Sequence, residues 1–135
     1  MKLNTIILVA GIMTALIVLP VLIAFVSHDM KAFFIEDAFG DIRDNEKAME
    51  IADTFFMILG LISIGIVILV FGALKIPDIK SKKLVCLLLG ILLFFFALPD
   101  FIGVIQNKAH APYPIMAINT IVFISLFYGW KKGVE

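Results

Sequence analysis

Cysteine is almost absent from this chain: of 135 residues only Cys86 is one. A single thiol makes no internal disulfide, and neither a CxxC pair nor a Cys/His metal framework is present. Charge is scarce as well, at 16% Asp, Glu, Lys and Arg, and it is balanced at 11 basic against 11 acidic residues. A nucleic-acid partner demands a basic surplus, so that class is excluded. Phosphate-binding Gly loops, GxSxG elbows, HExxH helices and haem or quinone signatures are also missing, so no cofactor is expected. What fills the chain is apolar, at 62% hydrophobic residues, where a soluble domain carries about 45–50%. A chain of this size has no interior that hides such a surplus, which excludes an ordinary soluble domain and disorder alike.

Uncharged apolar runs of bilayer-spanning length occur four times, over 3–26, 51–74, 84–105 and 115–130. The first run is far longer than a signal-peptide core, and Ala24-Phe25-Val26-Ser27 is a poor cleavage site, so it is read as a membrane helix. The fold class expected is therefore all-α: an integral membrane four-helix bundle forming one domain over 1–135. Residues 75–83 carry four lysines against Asp78, and the positive-inside rule puts that loop in the cytoplasm. Both termini follow it, in agreement with Lys2 at one end and Lys131 and Lys132 at the other. The opposite side receives the loop 27–50, with seven acids (Asp29, Glu36, Asp37, Asp41, Asp44, Glu46, Glu50) against Lys31, Arg43 and Lys47. Trp130 and Tyr128 at one boundary and Tyr113 at the other fit interfacial anchors. Such a chain is expected in the bacterial cytoplasmic membrane. Within the acidic loop, residues 30–39 place Phe33, Phe34, Ile35 and Phe39 among charges. Two readings stay open there: a short amphipathic helix stopped by Gly40, or a loop over the bundle mouth.

Ionisable residues inside a span need an account of what they face. Asp100 lies five residues before the end of the third span, about 7 Å below the outer boundary. On a helical wheel it shares a mostly small stripe with Cys86, Gly90, Leu93, Ala97 and Val104, within an arc of roughly 80°. Small residues let helices approach closely, so this stripe is the expected packing face, with Asp100 turned into the bundle. Phe94, Phe95 and Phe96 are too dense for that face and offer surface to lipid. Pro99 withdraws one hydrogen bond from the carbonyl of Phe95, and the freed group beside a carboxylate suggests a small polar pocket. Glu46, Glu50 and Asp53 share one face at the start of the second span, where the helix dipole favours negative charge. Asn119 lies near the depth of Asp100 on the fourth span and is a candidate hydrogen-bond partner. His28 and His110 fall on the same side, so His28, Asp53, Asp100 and His110 are weighed as a cation site, although no HxxxH or ExxH pair supports one. Gly65 with Gly72, and Gly90 with Ala97, read as helix-packing positions, and Cys86 as a small packing residue.

In the order of its features the stretch 50–129 resembles the DoxX-like group of small four-helix bacterial membrane proteins. The resemblance rests on an acidic start to the second span (Glu50, Asp53), its glycines (Gly60, Gly65, Gly72), the basic loop 75–83, Leu98-Pro99-Asp100 in the third span, and Gly103 and His110 around the outer turn. It implies a four-helix membrane fold, and for some members a link to redox or sulfur metabolism. The lone Cys86 departs from what thiol chemistry requires.

Three readings of function follow. The leading one is a non-catalytic membrane protein that binds a small or lipidic ligand, or a membrane partner, through an outward-facing polar pocket of Asp100, Asp53, Asn119, Glu50 and His110. The second is a membrane enzyme or proton-coupled carrier using Asp53 and Asp100 as acid and base in a low-dielectric site. Four spans are few for alternating access, so a carrier implies a homo-oligomer. The third is a structural subunit of a larger membrane complex.

Overall fold

A computed structural model describes residues 2–41, 43–108 and 110–134; the side chains of Asp37, Ala38 and Phe39 lie outside the described residues, and with them the acid and the ring named above. Of the described residues 86% are helical, in five α-helices and a short 3-10 turn, and none is in a strand. Helix α1 is Leu3–Val26, α2 His28–Phe39, α3 Glu46–Gly72 with a 3-10 turn Ala73–Lys75, α4 Ile79–Ile105 and α5 Tyr113–Lys132. All but α2 are long and apolar enough to cross a membrane. They define a multi-pass helical membrane protein, which accounts for the hydrophobic surplus.

Three of the helices start at a side-chain cap. Ser27 Oγ accepts from Met30 N–H at the head of α2. Asn45 Oδ1 accepts from Ala48 N–H at 3.1 Å before α3. Asp78 Oδ2 accepts from Ser81 N–H at 2.7 Å before α4, and hydrogen bonds from the Ser81 side chain and backbone hold its carboxyl below the usual value. Helix α2 settles the choice between helix and loop in favour of helix. It stops at Gly40, whose φ of +72° is a left-handed conformation that only glycine adopts without strain. Helix α5 ends in Lys131 and Lys132, the sign of charge its carbonyl end favours.

The chain divides into two compact units. The larger comprises Met1–Ile17 and Ile66–Glu135. Its core joins Leu3, Ile7 and Ala10 of α1, Ile66 and Val70 of α3, Ala73 of the 3-10 turn, Cys86, Leu89 and Leu93 of α4, and Val122 and Leu126 of α5. The stripe expected on α4 is thus its packing face, with Cys86, Gly90, Leu93 and Ala97 buried. Gly90 faces Leu126 and Phe127, where an added methyl would lie 3.5 Å from Leu126 Cβ. Phe94 packs edge-on against Phe123 with ring centres 5.5 Å apart, so α4 and α5 form an antiparallel hairpin. Gly129 admits Leu3 and Ile6, which would stand 3.1 and 3.2 Å from a side chain placed there. The first and last turns of the chain meet, Leu3 N–H donating to Val134 O at 2.8 Å.

The smaller unit is Val18–Gly65. Here α2 lies on the first turns of α3 through Ala32, Met49 and Ala52, flanked by Ile35 and Ala48. Phe25 crosses Gly60, where a methyl would meet its ring at 3.3 Å.

Large apolar side chains remain exposed on all four long helices, among them Leu16, Ile51 at 72%, Phe95 at 61% and Ile124. In water such a surface aggregates; in a bilayer it is the lipid-facing wall. Gly65 and Gly72, expected as packing positions, face open space instead. Their shared helical face did not translate into contact, because a small residue permits a close approach without demanding one.

Candidate functional site

Two of the sequence-named residues meet at the backbone of one residue in the larger unit. Late in α4, Asp100 is half-buried, and its Oδ1 accepts the backbone N–H of Ala111 at 2.8 Å. His110 Nδ1 stands 2.8 Å from the carbonyl oxygen of that same Ala111. A carbonyl only accepts, so the tautomer carrying its proton on Nδ1 makes this bond. The Ala111 backbone is thereby held from both of its polar atoms, and the turn leading into α5 is fixed. The His110 ring also lies against Tyr113, with centroids 5.0 Å apart. Asp100 Oδ2 has no hydrogen-bond partner among the described residues. Asp100 is thus a carboxylate anchored through one oxygen.

Asn119 is buried, at 8% exposure, but does not bond Asp100. The hairpin register explains this. Gly90 opposite Leu126 and Phe127, and Phe94 opposite Phe123, place Asn119 level with Leu98, about 3 Å deeper than Asp100 at 1.5 Å per residue. Counting depth from each span's end missed this offset because α5 begins two residues earlier than the apolar run suggested.

In the smaller unit, Asp53 pairs with Lys31 of α2. The lysine side chain is 12% exposed and the aspartate 53%, so the carboxylate stays wet while the aliphatic stem is covered. Glu50 is exposed and lines a shallow surface groove with Ile51, Thr54, Phe55 and Ile58. His28 opens α2 and is exposed. Among the described residues no three His, Cys, Asp or Glu side chains come together in a way that would hold a metal ion, so the cation site weighed for His28, Asp53, Asp100 and His110 gains no support.

One buried charge escaped the sequence reading. Lys82 is only 9% exposed, and its Nζ donates to Asn4 Oδ1 of α1 at 2.8 Å. In the sequence it is one of the four lysines of 75–83 that set the topology. The signal was present, since Lys82 extends the Cys86, Gly90, Leu93 and Ala97 stripe by one turn and so falls on the face that packs.

Compared with known protein families, curated proteins and solved structures, the chain finds no match.

Proposed function

We propose that this chain is a non-catalytic protein of the bacterial cytoplasmic membrane, with both termini in the cytoplasm, that acts by binding a small or lipidic ligand at the outer mouth of the α4–α5 hairpin. The observation that carries this reading is Asp100, whose Oδ1 is committed to Ala111 N–H while Oδ2 has no partner among the described residues. A carboxylate so held is oriented without being neutralised, which suits a ligand that brings a cation or a hydrogen-bond donor. The pairing of Asp53 with Lys31 favours binding over an acid–base role for the two aspartates. The likeness to the DoxX-like group, carried by Pro99 and Asp100, belongs to the same proposal.

Asp100→Asn tests it, because the amide oxygen still accepts from Ala111 while the charge is gone. Small molecules and lipids co-purifying with parent and variant are compared by mass spectrometry. Selective loss of one species of about 10-fold, with an unchanged thermal midpoint, is the expected result; it corresponds to one charge-assisted hydrogen bond. Identical profiles at equal stability would remove the reading's main support. Reporter fusions at the C-terminus and in the loop 40–45 check the orientation, the first expected to report cytoplasm and the second the far side.

A further inference from the structure

The start of α4 holds a polar group that the Asp100 reading does not use. Lys82 stands one turn after its cap Asp78, with nine-tenths of its surface covered. Its ammonium has three N–H donors and a full charge. Asn4 Oδ1 meets one donor, at 2.8 Å, and none of the charge. Asp78, the nearest acid in the sequence, is turned to Ser81. Among the described residues no carboxylate forms an ion pair with Lys82. A buried charge without a counter-charge is strongly unfavourable, so the described residues leave an arrangement that an anion would complete.

A cavity of about 180 Å³ is lined by Leu3, Asn4, Pro77, Ile79, Lys82 and Val134. All six belong to the larger unit. Lys82 and Asn4 supply a cation and an amide, and the other four supply apolar walls. The cavity sits where membrane-spanning α4 begins and α1 starts. We propose that this cavity is a binding site for a phosphate-bearing anion, held by Lys82 with Asn4. That chemistry has two sources, the phosphodiester of an anionic phospholipid and free inorganic phosphate. The apolar walls and the position at a helix end favour the lipid, whose glycerol backbone and first methylenes lie against Leu3, Ile79 and Val134 while the phosphate meets Lys82.

Native mass spectrometry of the full chain in detergent tests the site, with phosphatidylglycerol, phosphatidylcholine and inorganic phosphate as probes. The parent is expected to retain phosphatidylglycerol about 10-fold more strongly than phosphatidylcholine, and Lys82→Met to lose that preference, the size expected for one charged hydrogen bond. Exposed Lys80→Met is expected to change retention less than 2-fold, an order-of-magnitude bound for a solvated surface charge. Persistence of the bound lipid in millimolar phosphate assigns the site to lipid; displacement, with phosphate bound in its place, assigns it to the free anion. Either outcome supports the phosphate site. Should Lys82→Met fail to fold, Lys82→Gln is measured in its place, and the thermal shift on adding phosphatidylglycerol is the second readout, expected in the parent and absent in the variant. Equal retention of both lipids by the parent, or parent-like selectivity in the Lys82 variants, overturns the proposal. So does a gain of lipid in Glu135→Gln, which would show that the chain's own acid fills the site.

Discussion

The two units are held together by different means. In the larger, big side chains interlock: Leu3, Ile6, Ile7, Val70, Val122 and Leu126 are all almost completely buried. In the smaller, the alanines Ala24, Ala32 and Ala52 share the buried positions with only a few larger side chains, Val18, Met49 and Phe56, and α2 is tied to α3 by the Lys31–Asp53 pair. Lipid tails are as apolar as leucine, so burial alone gives a membrane helix little reason to leave lipid for a neighbour. Two terms remain, close-fitting dispersion contacts and polar bonds. The larger unit relies on the first, and the smaller unit adds more of the second. Volume changes should therefore damage one and charge changes the other.

The sharpest way to break that contrast is Leu126→Ala. It is expected to lower stability by about 2–5 kcal/mol, the range for a leucine deleted from a close-packed site, whereas Ala52→Gly in the smaller unit should cost about 1 kcal/mol. Unfolding titrations in mixed micelles measure both, and near-equal losses would abolish the distinction. Next comes Asp100→Leu, which leaves Ala111 N–H without its acceptor and is expected to cost about 1–3 kcal/mol. Asp100→Asn keeps an acceptor and should cost less, so the order of the two thermal midpoints is the check. Smaller again, Lys31→Met and Asp53→Asn should each loosen α2 by under about 1 kcal/mol, since the carboxylate is largely in solvent. Hydrogen exchange along 28–39 should speed up in both variants, and no further in the double variant.

The smallest effect concerns pH. Hydrogen bonds from Ser81 depress the Asp78 carboxyl below its ordinary value of 3.8. The stability it lends to the start of α4 is therefore complete above that value and disappears as pH falls through the lower folded value. A small difference between parent and Asp78→Ala at pH 7 should vanish in strong acid, and a difference that grew on acidification would contradict the sign.

The spans were legible because the bilayer writes itself into composition. Residues 3–26 coincide with α1, and the third run ends at Ile105 as α4 does. The starts were less legible. Apolarity reports where lipid begins, not where hydrogen bonding begins, and the charged first turns of α3 and α4 are helical outside the apolar run. Asn45 and Asp78 were the capping signals for those turns. The burial of the Asp100 stripe followed from helical period alone. That Asp100 would bond a backbone N–H eleven residues on did not, because the path of the 106–112 turn is not periodic. Lys82 is hidden for another reason: a lysine in a basic loop reads as a solvated, topology-setting charge, although helical period puts it on the packing stripe.

The bond between Leu3 and Val134 has a topological consequence. Two segments at opposite ends of the sequence are already neighbours, so a short glycine linker would turn the thread into a ring without displacing a helix. The ring would forbid many of the unfolded chain's conformations and few of the folded one's, which raises stability through the state never seen in a structure. A new opening cut between Gly40 and Asn45, where α2 has ended and α3 has not begun, would then give a permuted chain of the same four spans.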